Sequence, residues 1–416
     1  MSGVAIIGIG CRFPGGVSDP ESYWNLLCEG RSVISDIPDD RWSLEGFFDP
    51  EPDKPNRSYS RWGGFLDDVS EFDPDFFGLS IRETEAMDPQ QRLLLITAVE
   101  AIQDAGLRQS ELRQDETGVF VGASNIDYNL LARQRTGHGD IQAGTGTAFS
   151  ILANRVSHQL DLKGPSLTVD TACSSSMVAL DIACEKLLSG ACDAALSGGV
   201  NILLDPRMFI TFSRARMFSP CGKIRAFDAG AYGFVRGEGA ASVLLKRESD
   251  ALRDENRIYA VIRATAINQD GATSTITAPN EAAQSRLFRK AVALAGIDPS
   301  DVNFVEAHGT GTALGDPVEA RAAGRIMGGA SRRKPLLIGS VKSSIGHLEP
   351  AAGIAGLIKA ALSLHKGAVP PSAQFETPNP AIPFDELNIQ VPQAVIPLAD
   401  RGANGYALVN SSGFGG

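Results

Sequence analysis

The chain has 416 residues, with 38 Lys or Arg against 49 Asp or Glu and a formal net charge of -11 at pH 7. That balance argues against nucleic-acid binding, which favours a basic surface. A hydrophobic content of 43% with 21% charged residues suits a large folded core rather than disorder.

No apolar run reaches the roughly 18 residues a membrane helix needs. Met1 to Gly8 lacks the basic start and long apolar stretch of a secretory signal. The six cysteines (11, 28, 173, 184, 192, 221) form no Cys-x-x-Cys pair. No membrane span, no metal site and a reducing, cytoplasmic setting are therefore expected.

In chain order, Val4 to Gly10 reads as a buried strand. Gly8-Ile9-Gly10 suggests a dinucleotide turn, but Phe13 stands where a third glycine belongs and Pro14 follows, so nucleotide binding is not expected. The stretch from Asp36 to Asp75 is rich in turn signals and reads as irregular structure anchored by Trp42, Phe47, Phe48, Tyr59 and Trp62. Asp88-Pro89 opens a helix that runs to Ala105 before Gly106. Further strands are expected at 117–122, 166–170, 194–204 and 239–246, with helices at 147–160 and 175–188. The same alternation then restarts, with strands at 258–267, 302–306 and 336–341 and helices at 281–296, 316–326 and 350–365. Alternating elements of this kind indicate α/β layers with buried strands. The repeated order suggests two related halves, 1–250 and 251–416.

Chemistry concentrates where strands end. Cys173, in Val169-Asp170-Thr171-Ala172-Cys173-Ser174-Ser175-Ser176, lies between a β-branched strand and a helix. A lone cysteine is ordinarily a small buried hydrophobe. At the positive end of a helix, however, thiolate is favoured, and thiolate is the nucleophilic form. His308 follows a strand in Glu306-Ala-His-Gly-Thr-Gly-Thr312, and His347 precedes a helix in Lys342-Ser-Ser-Ile-Gly-His-Leu-Glu-Pro350. Strand-end turns are where active-site residues of α/β folds collect. The helix N-terminus is expected to keep His347 neutral. His138, His158 and His365 are read as structural.

These motifs, in this order, resemble the β-ketoacyl synthase (ketosynthase) domain of a type I polyketide synthase, of the thiolase superfamily. The resemblance runs from Ala5-Ile-Ile-Gly-Ile-Gly-Cys-Arg-Phe-Pro14 through Met87-Asp-Pro-Gln-Gln-Arg-Leu-Leu94, the cysteine motif, Asp228 to Gly239 and both histidine motifs. It ends in Asn410-Ser-Ser-Gly-Phe-Gly-Gly416. It implies the thiolase fold, a duplicated αβαβα arrangement with two mixed sheets, and decarboxylative Claisen condensation on carrier-bound acyl chains. Cys173 is then the nucleophile, and His308 and His347 assist decarboxylation of a malonyl-type extender. Lys342 and its expected partner Glu319 orient the histidines. The backbone N–H groups of Cys173 and Phe414 form the oxyanion hole, and Phe414 also gates the site. Thr310 and Thr312 hydrogen-bond a phosphopantetheine arm.

The resemblance implies no cofactor bound by the domain itself, since substrates arrive as acyl and malonyl-type thioesters on the phosphopantetheine of an acyl carrier protein. It also implies a homodimer paired through Ser166 to Val169, and other domains of the same synthase as partners. Arg207, Arg214 and Arg216, or Arg332 to Lys334, are candidate carrier-docking cations, although a solvated charged face is the commoner explanation.

Three relatives are weighed against this assignment. A thiolase needs a further cysteine after the second histidine motif, and the last here is Cys221. A non-elongating ketosynthase usually lacks one histidine. A chain-initiating decarboxylase has Gln where Cys173 stands. A start at Met1 directly on the first strand fits the first domain of a self-contained or iterative synthase. The end at Gly416 falls short of the family's usual terminus, which reads as a fragment of a longer polypeptide. The acyl chain, the number of extension cycles and the product are not encoded in these motifs.

Overall fold

The computed structural model describes residues 3–112, 116–136, 141–329, 332–399 and 405–416; His138 lies outside them. The principal elements are β1 (Val4–Arg12), α1 (Pro89–Asp104), β2 (Thr117–Gly122), α2 (Ile151–Leu160), β3 (Ser166–Val169), α3 (Ser175–Leu188), β4 (Ala194–Asn201) and β5 (Gly239–Arg247). They continue with β6 (Ala260–Ile262), α4 (Glu281–Ala295), β7 (Val302–Glu306), α5 (Gly315–Met327), β8 (Leu336–Gly339), α6 (Ala352–Lys366), β9 (Ile389–Gln390) and β10 (Tyr406–Val409).

Two sheets organise the chain. The first has the order β3-β2-β4-β5-β1-β6, and the second β9-β8-β7-β10. Strand β1 shows why the first sheet is buried on both faces. Val4 and Ile6 point into one apolar cluster, and Ala5 and Ile7 into another. A register shift at Ile6/Gly8 resets the alternation, and Ile9 and Cys11 return to the first cluster. Helices α1 and α2 cover one face of this sheet. Helices α3 and α6 pack between the two sheets, and α4 and α5 cover the far face of the second. The result is five layers, helix–sheet–helix–sheet–helix.

The first sheet is mixed: β2 is parallel to β3 and β4, whereas β5 is antiparallel to β4 and β1. The second sheet corrects the expectation of two mixed sheets, because its described strands are all parallel. Helical crossovers such as α5, between β7 and β8, return the chain to the same end of the sheet and so allow parallel pairing.

Three other expected elements differ. The 147–160 helix is two pieces, Ile141–Thr147 and α2. The first piece is pinned where Gly146 meets the Ala86 backbone, leaving 2.0 Å for a Cβ. The 258–267 strand is confined to β6, which pairs with β1 at three positions on the sheet edge. The 336–341 strand stops at Gly339, and Lys342–Ile345 is a helical turn. The irregular 36–75 stretch does form an aromatic cluster, in which Phe47 and Tyr59 pack with Phe209, Phe218 and Phe234.

Helix α1 is capped by Asp88, whose carboxylate accepts the Gln90 N–H at 2.9 Å, with Pro89 in the first turn. It lies so close to β1 that a Cβ on Gly10 would sit 2.1 Å from the Thr97 carbonyl oxygen. Gly10→Ala is therefore expected to destabilise the fold by about 1–3 kcal/mol, read as a lower melting temperature. An unchanged melting temperature would mean that sheet and helix part without strain.

Candidate active site

Cys173 sits on a strained bend. Ala172 has φ 53, in the left-handed region that a Cβ disfavours. Side chains hold it there: Asp170 Oδ1 accepts the Ala172 N–H at 2.9 Å, and Ser175 Oγ donates to the Ala172 carbonyl at 2.6 Å. The Ser411 hydroxyl donates to the Cys173 carbonyl at 2.8 Å, tying the bend to the tail after β10. Helix α3 starts two residues later, so its positive end faces the cysteine.

His308 leaves the end of β7 on a turn that needs glycine, with Gly309 at φ 38 and Gly311 at φ 70. Carboxylates buried on α5 hold this turn. Glu319 accepts the N–H groups of His308 (2.7 Å) and Gly309 (2.8 Å), and Asp316 accepts those of Gly311 (3.1 Å) and Phe227 (2.7 Å). His347 follows the Lys342–Ile345 turn. The rings of His308 and His347 lie 5.4 Å apart, centroid to centroid, at 84°.

Cys173, His308, His347, Thr310, Thr312 and Phe414 all line one cavity of about 930 Å³. Thr310 and Thr312 face each other, with their hydroxyl oxygens 3.3 Å apart. Phe414 is 48% exposed at the mouth, its ring edge-on to Phe212 at 6.4 Å. Among the described residues no cluster of His, Cys, Asp or Glu is placed to hold a metal ion.

The histidine tautomers follow from their hydrogen bonds. His308 Nδ1 accepts the Ser412 N–H at 3.2 Å, and His347 Nδ1 accepts the Glu349 N–H at 3.1 Å. With Nδ1 occupied as acceptor, a neutral ring carries its proton on Nε2. Burial, reinforced by the nearby Lys342 charge, holds both imidazoles well below the ordinary histidine range. For His347 burial outweighs every other influence, whereas the sequence points only to the helix end.

Two expectations are corrected. Burial pushes the Cys173 thiol up to about 12; Glu349 adds to this, and Lys342 and Arg236 oppose it. The resting group is thus a thiol, because desolvation of the anion outweighs the attraction of nearby cations. Nor do Lys342 and Glu319 form a direct ion pair. The Glu319 carboxylate is occupied by the two backbone donors and by Asn410 Nδ2 at 2.6 Å. Lys342 is buried and its pKa is lowered by that burial, against the pull of Glu306 and Glu319.

Sequence reasoning misses Arg236, Glu349 and Asn410. Buried Arg236 forms an ion pair with half-buried Glu349 beside His347. The available signal is an arginine among Gly, Phe and Val residues, where a charge needs a partner. Of the remaining candidate residues, Arg207 and Arg216 also line the cavity of Cys173, whereas His158 and His365 do not. His365 packs on Tyr259 at 5.0 Å, and His158 lies in α2. Arg207 pairs with Asp205 and Arg216 with Asp53, while Arg332 donates to the carbonyls of Ser300 and Met327.

Comparison with known proteins supplies the family. A model of the β-ketoacyl synthase N-terminal domain matches residues 1–251, and one of the C-terminal domain matches residues 259–376. One subunit of the phenolphthiocerol/phthiocerol polyketide synthase of Mycobacterium tuberculosis is 50% identical over 414 residues, which is 99% of this chain and 22% of that protein. A second subunit of the same synthase is 46% identical over 413 residues, 99% of this chain and 27% of that protein. The chain thus spans about a quarter of the length of these relatives.

Among solved structures, an oxazolomycin ketosynthase domain from Streptomyces albus superposes with a TM-score of 0.94 at 38% identity, covering 100% of this chain and 73% of that one. The ketosynthase from module 6 of the bacillaene synthase of Bacillus subtilis gives 0.90 at 38% identity, covering 100% and 70%. Agreement in sequence and fold along this chain places it in the β-ketoacyl synthase family, as a ketosynthase domain of the type I polyketide synthase kind with the thiolase fold and acyltransferase chemistry.

Proposed function

We propose that the domain takes an acyl chain onto Cys173 and condenses it with a malonyl-type extender carried on the phosphopantetheine of an acyl carrier protein. In the first step the Cys173 sulfur bonds to the acyl carbonyl carbon, and the carrier thiol departs with the displaced proton. The N–H groups of Cys173 and Phe414 are the donors for the oxyanion, stabilised further by the α3 dipole. In the second step the extender loses CO₂, and its enolate oxygen receives hydrogen bonds from His308 and His347. The enolate carbon then attacks the Cys173 thioester, forming the new C–C bond and releasing the cysteine.

The observation that carries this reading is the pair of occupied Nδ1 atoms, which turns two neutral histidines into Nε2–H donors lining the cavity of Cys173. Enolate stabilisation without full proton transfer calls for such donors. Lys342 serves by keeping both rings uncharged, and Glu319 by fixing the His308 turn. Thr310 and Thr312 line the same cavity as hydroxyl partners for the phosphopantetheine arm. A thiolase-type reaction is disfavoured because no other cysteine lines this cavity among the described residues.

The edge strand β3, with Leu167 40% exposed, supports a homodimer paired through Ser166 to Val169. The halves 1–250 and 251–416 serve as the nucleophile-bearing and histidine-bearing parts. Six free thiols fit a reducing cytoplasm. No described helix is long and apolar enough to cross a membrane.

Intact-mass spectrometry after exposure to acyl thioesters tests the nucleophile: one acyl adduct per chain is expected, and none on a folded Cys173→Ala variant. An adduct on that variant would remove Cys173 from the mechanism. Because the thiol titrates far above neutral, iodoacetamide alkylation of Cys173 is expected to climb about tenfold per pH unit through pH 9 without a plateau; a plateau near neutrality would mean that the helix dipole outweighs burial. Both histidine pKa values are lowered, so the rings stay neutral as pH falls through the ordinary value of 6.5. Malonyl-thioester decarboxylation should therefore hold steady there, and a titration centred near 6.5 would contradict the neutral-donor role.

A further inference from the structure

Arg236 is tied to the His347 turn in two ways, through its backbone neighbours and through its side chain. Their backbones form a short parallel bridge, in which the His347 N–H donates to the Val235 carbonyl and the Gly237 N–H to the His347 carbonyl, each at 2.8 Å. The Arg236 side chain, only 2% exposed, then reaches round the same turn and forks onto Glu349. Nε bonds Oε1, and Nη2 bonds Oε2 at 3.0 Å. Its flat face lies over the rings of Phe209 (4.9 Å) and Phe212 (5.6 Å). The remaining nitrogen, Nη1, is buried without an acceptor among the described residues.

An ion pair that leaves a buried donor unsatisfied is weak evidence for stability. Its geometry has another use. Glu349 has φ 48, a left-handed conformation that its Cβ disfavours. In that conformation its N–H points at His347 Nδ1. Residues are kept in such regions only when their surroundings over-determine them. Here the Arg236 fork supplies that restraint, with two parallel bonds that fix orientation as well as charge.

We infer that Arg236 is a positioning residue: by clamping Glu349 in its left-handed conformation it fixes His347 as the Nε2–H tautomer. The inference rests on the donor role proposed for His347. Removing the clamp frees Glu349 to relax to negative φ. Its N–H then leaves Nδ1, and the imidazole populates both tautomers, only one of which presents a proton from Nε2.

The test uses the whole chain with ¹⁵N-histidine labelling, the His347 signals being assigned by their loss in His347→Gln. The parent is expected to show His347 as a single Nε2–H tautomer. In Arg236→Met a second tautomer should appear, with kcat for malonyl-thioester decarboxylation falling about 10²-fold, as for loss of one transition-state donor, and KM little changed. Arg236→Lys, which keeps the charge without the fork, should recover only part of the loss. Arg236→Met/Glu349→Gly removes the stranded carboxylate and the strain together, and should restore the tautomer because glycine adopts positive φ freely.

A parent spectrum showing Nδ1–H at His347 would overturn the inference with no variant needed. So would an Arg236→Met protein with unaltered tautomer and rate, or a double variant as depleted as the single one. If Arg236→Met fails to fold around an unpaired Glu349, the double variant and Arg236→Lys decide the matter. Full decarboxylation by His347→Leu, which has no donor, would instead refute the donor role, and the tautomer spectra would still judge the clamp.

Discussion

Glu319 draws three separate pieces of chain to one point. From α5 its carboxylate accepts two N–H groups of the turn after β7 and the side chain of Asn410 at the end of β10. Stripping water from a carboxylate is expensive, and burial does raise its pKa. Three hydrogen bonds to the carboxylate offset that cost. The same bonds set where His308 stands and where the tail leading to Phe414 begins. A second buried acid repeats the device one turn earlier: Asp316, pushed up to about 7 mainly by burial, holds the Gly311 and Phe227 amides. The His308 turn is therefore shaped less by its own residues than by carboxylates on the helix that follows.

Around this hub burial, more than charge, keeps the reacting groups neutral. Lys342 lowers both imidazoles, and Glu349 raises the thiol while Arg236 opposes it. The cavity thus holds uncharged donors and an uncharged nucleophile between fixed ions. Charge enters only when an oxyanion or enolate forms, and fixed dipoles are worth most at that moment. Deeper in, Glu306 at the end of β7 pairs with Lys359 of α6 at 2.6 Å, locking the second sheet to the helices between the layers.

Much of this is legible in the chain because it is local. Residues 302–306 and 175–188 are a strand and a helix with the bounds that pattern and punctuation suggest, and the sequence motifs around Cys173, His308 and His347 do converge on one cavity. What is not legible is what depends on distance. Arg236 and Glu349 are 113 positions apart, and nothing near either one announces the other. The thiol's protonation defies the sequence reading because helix position is visible in sequence and desolvation is not. Glu319, the expected partner of Lys342, is not matched to it, since backbone amides, which no motif distinguishes, and Asn410 fill its oxygens. The strand expected over 258–267 shrinks to β6 because sheet-edge pairing, not local propensity, decides its length.

The position of β6 bears on how such a domain can be rebuilt. It follows the first half in sequence, yet it completes that half's sheet by pairing with β1 at Val4, Ala5 and Ile6. A chimera joined near residue 250, with the histidine-bearing half taken from another synthase, would give β1 a foreign edge strand and ask two unrelated surfaces to zip together. A junction after Ile262 would carry the native pairing across intact. For recombining acyl-chain specificities between synthases, the natural seam is thus set by a three-residue ladder rather than by a boundary at residue 250.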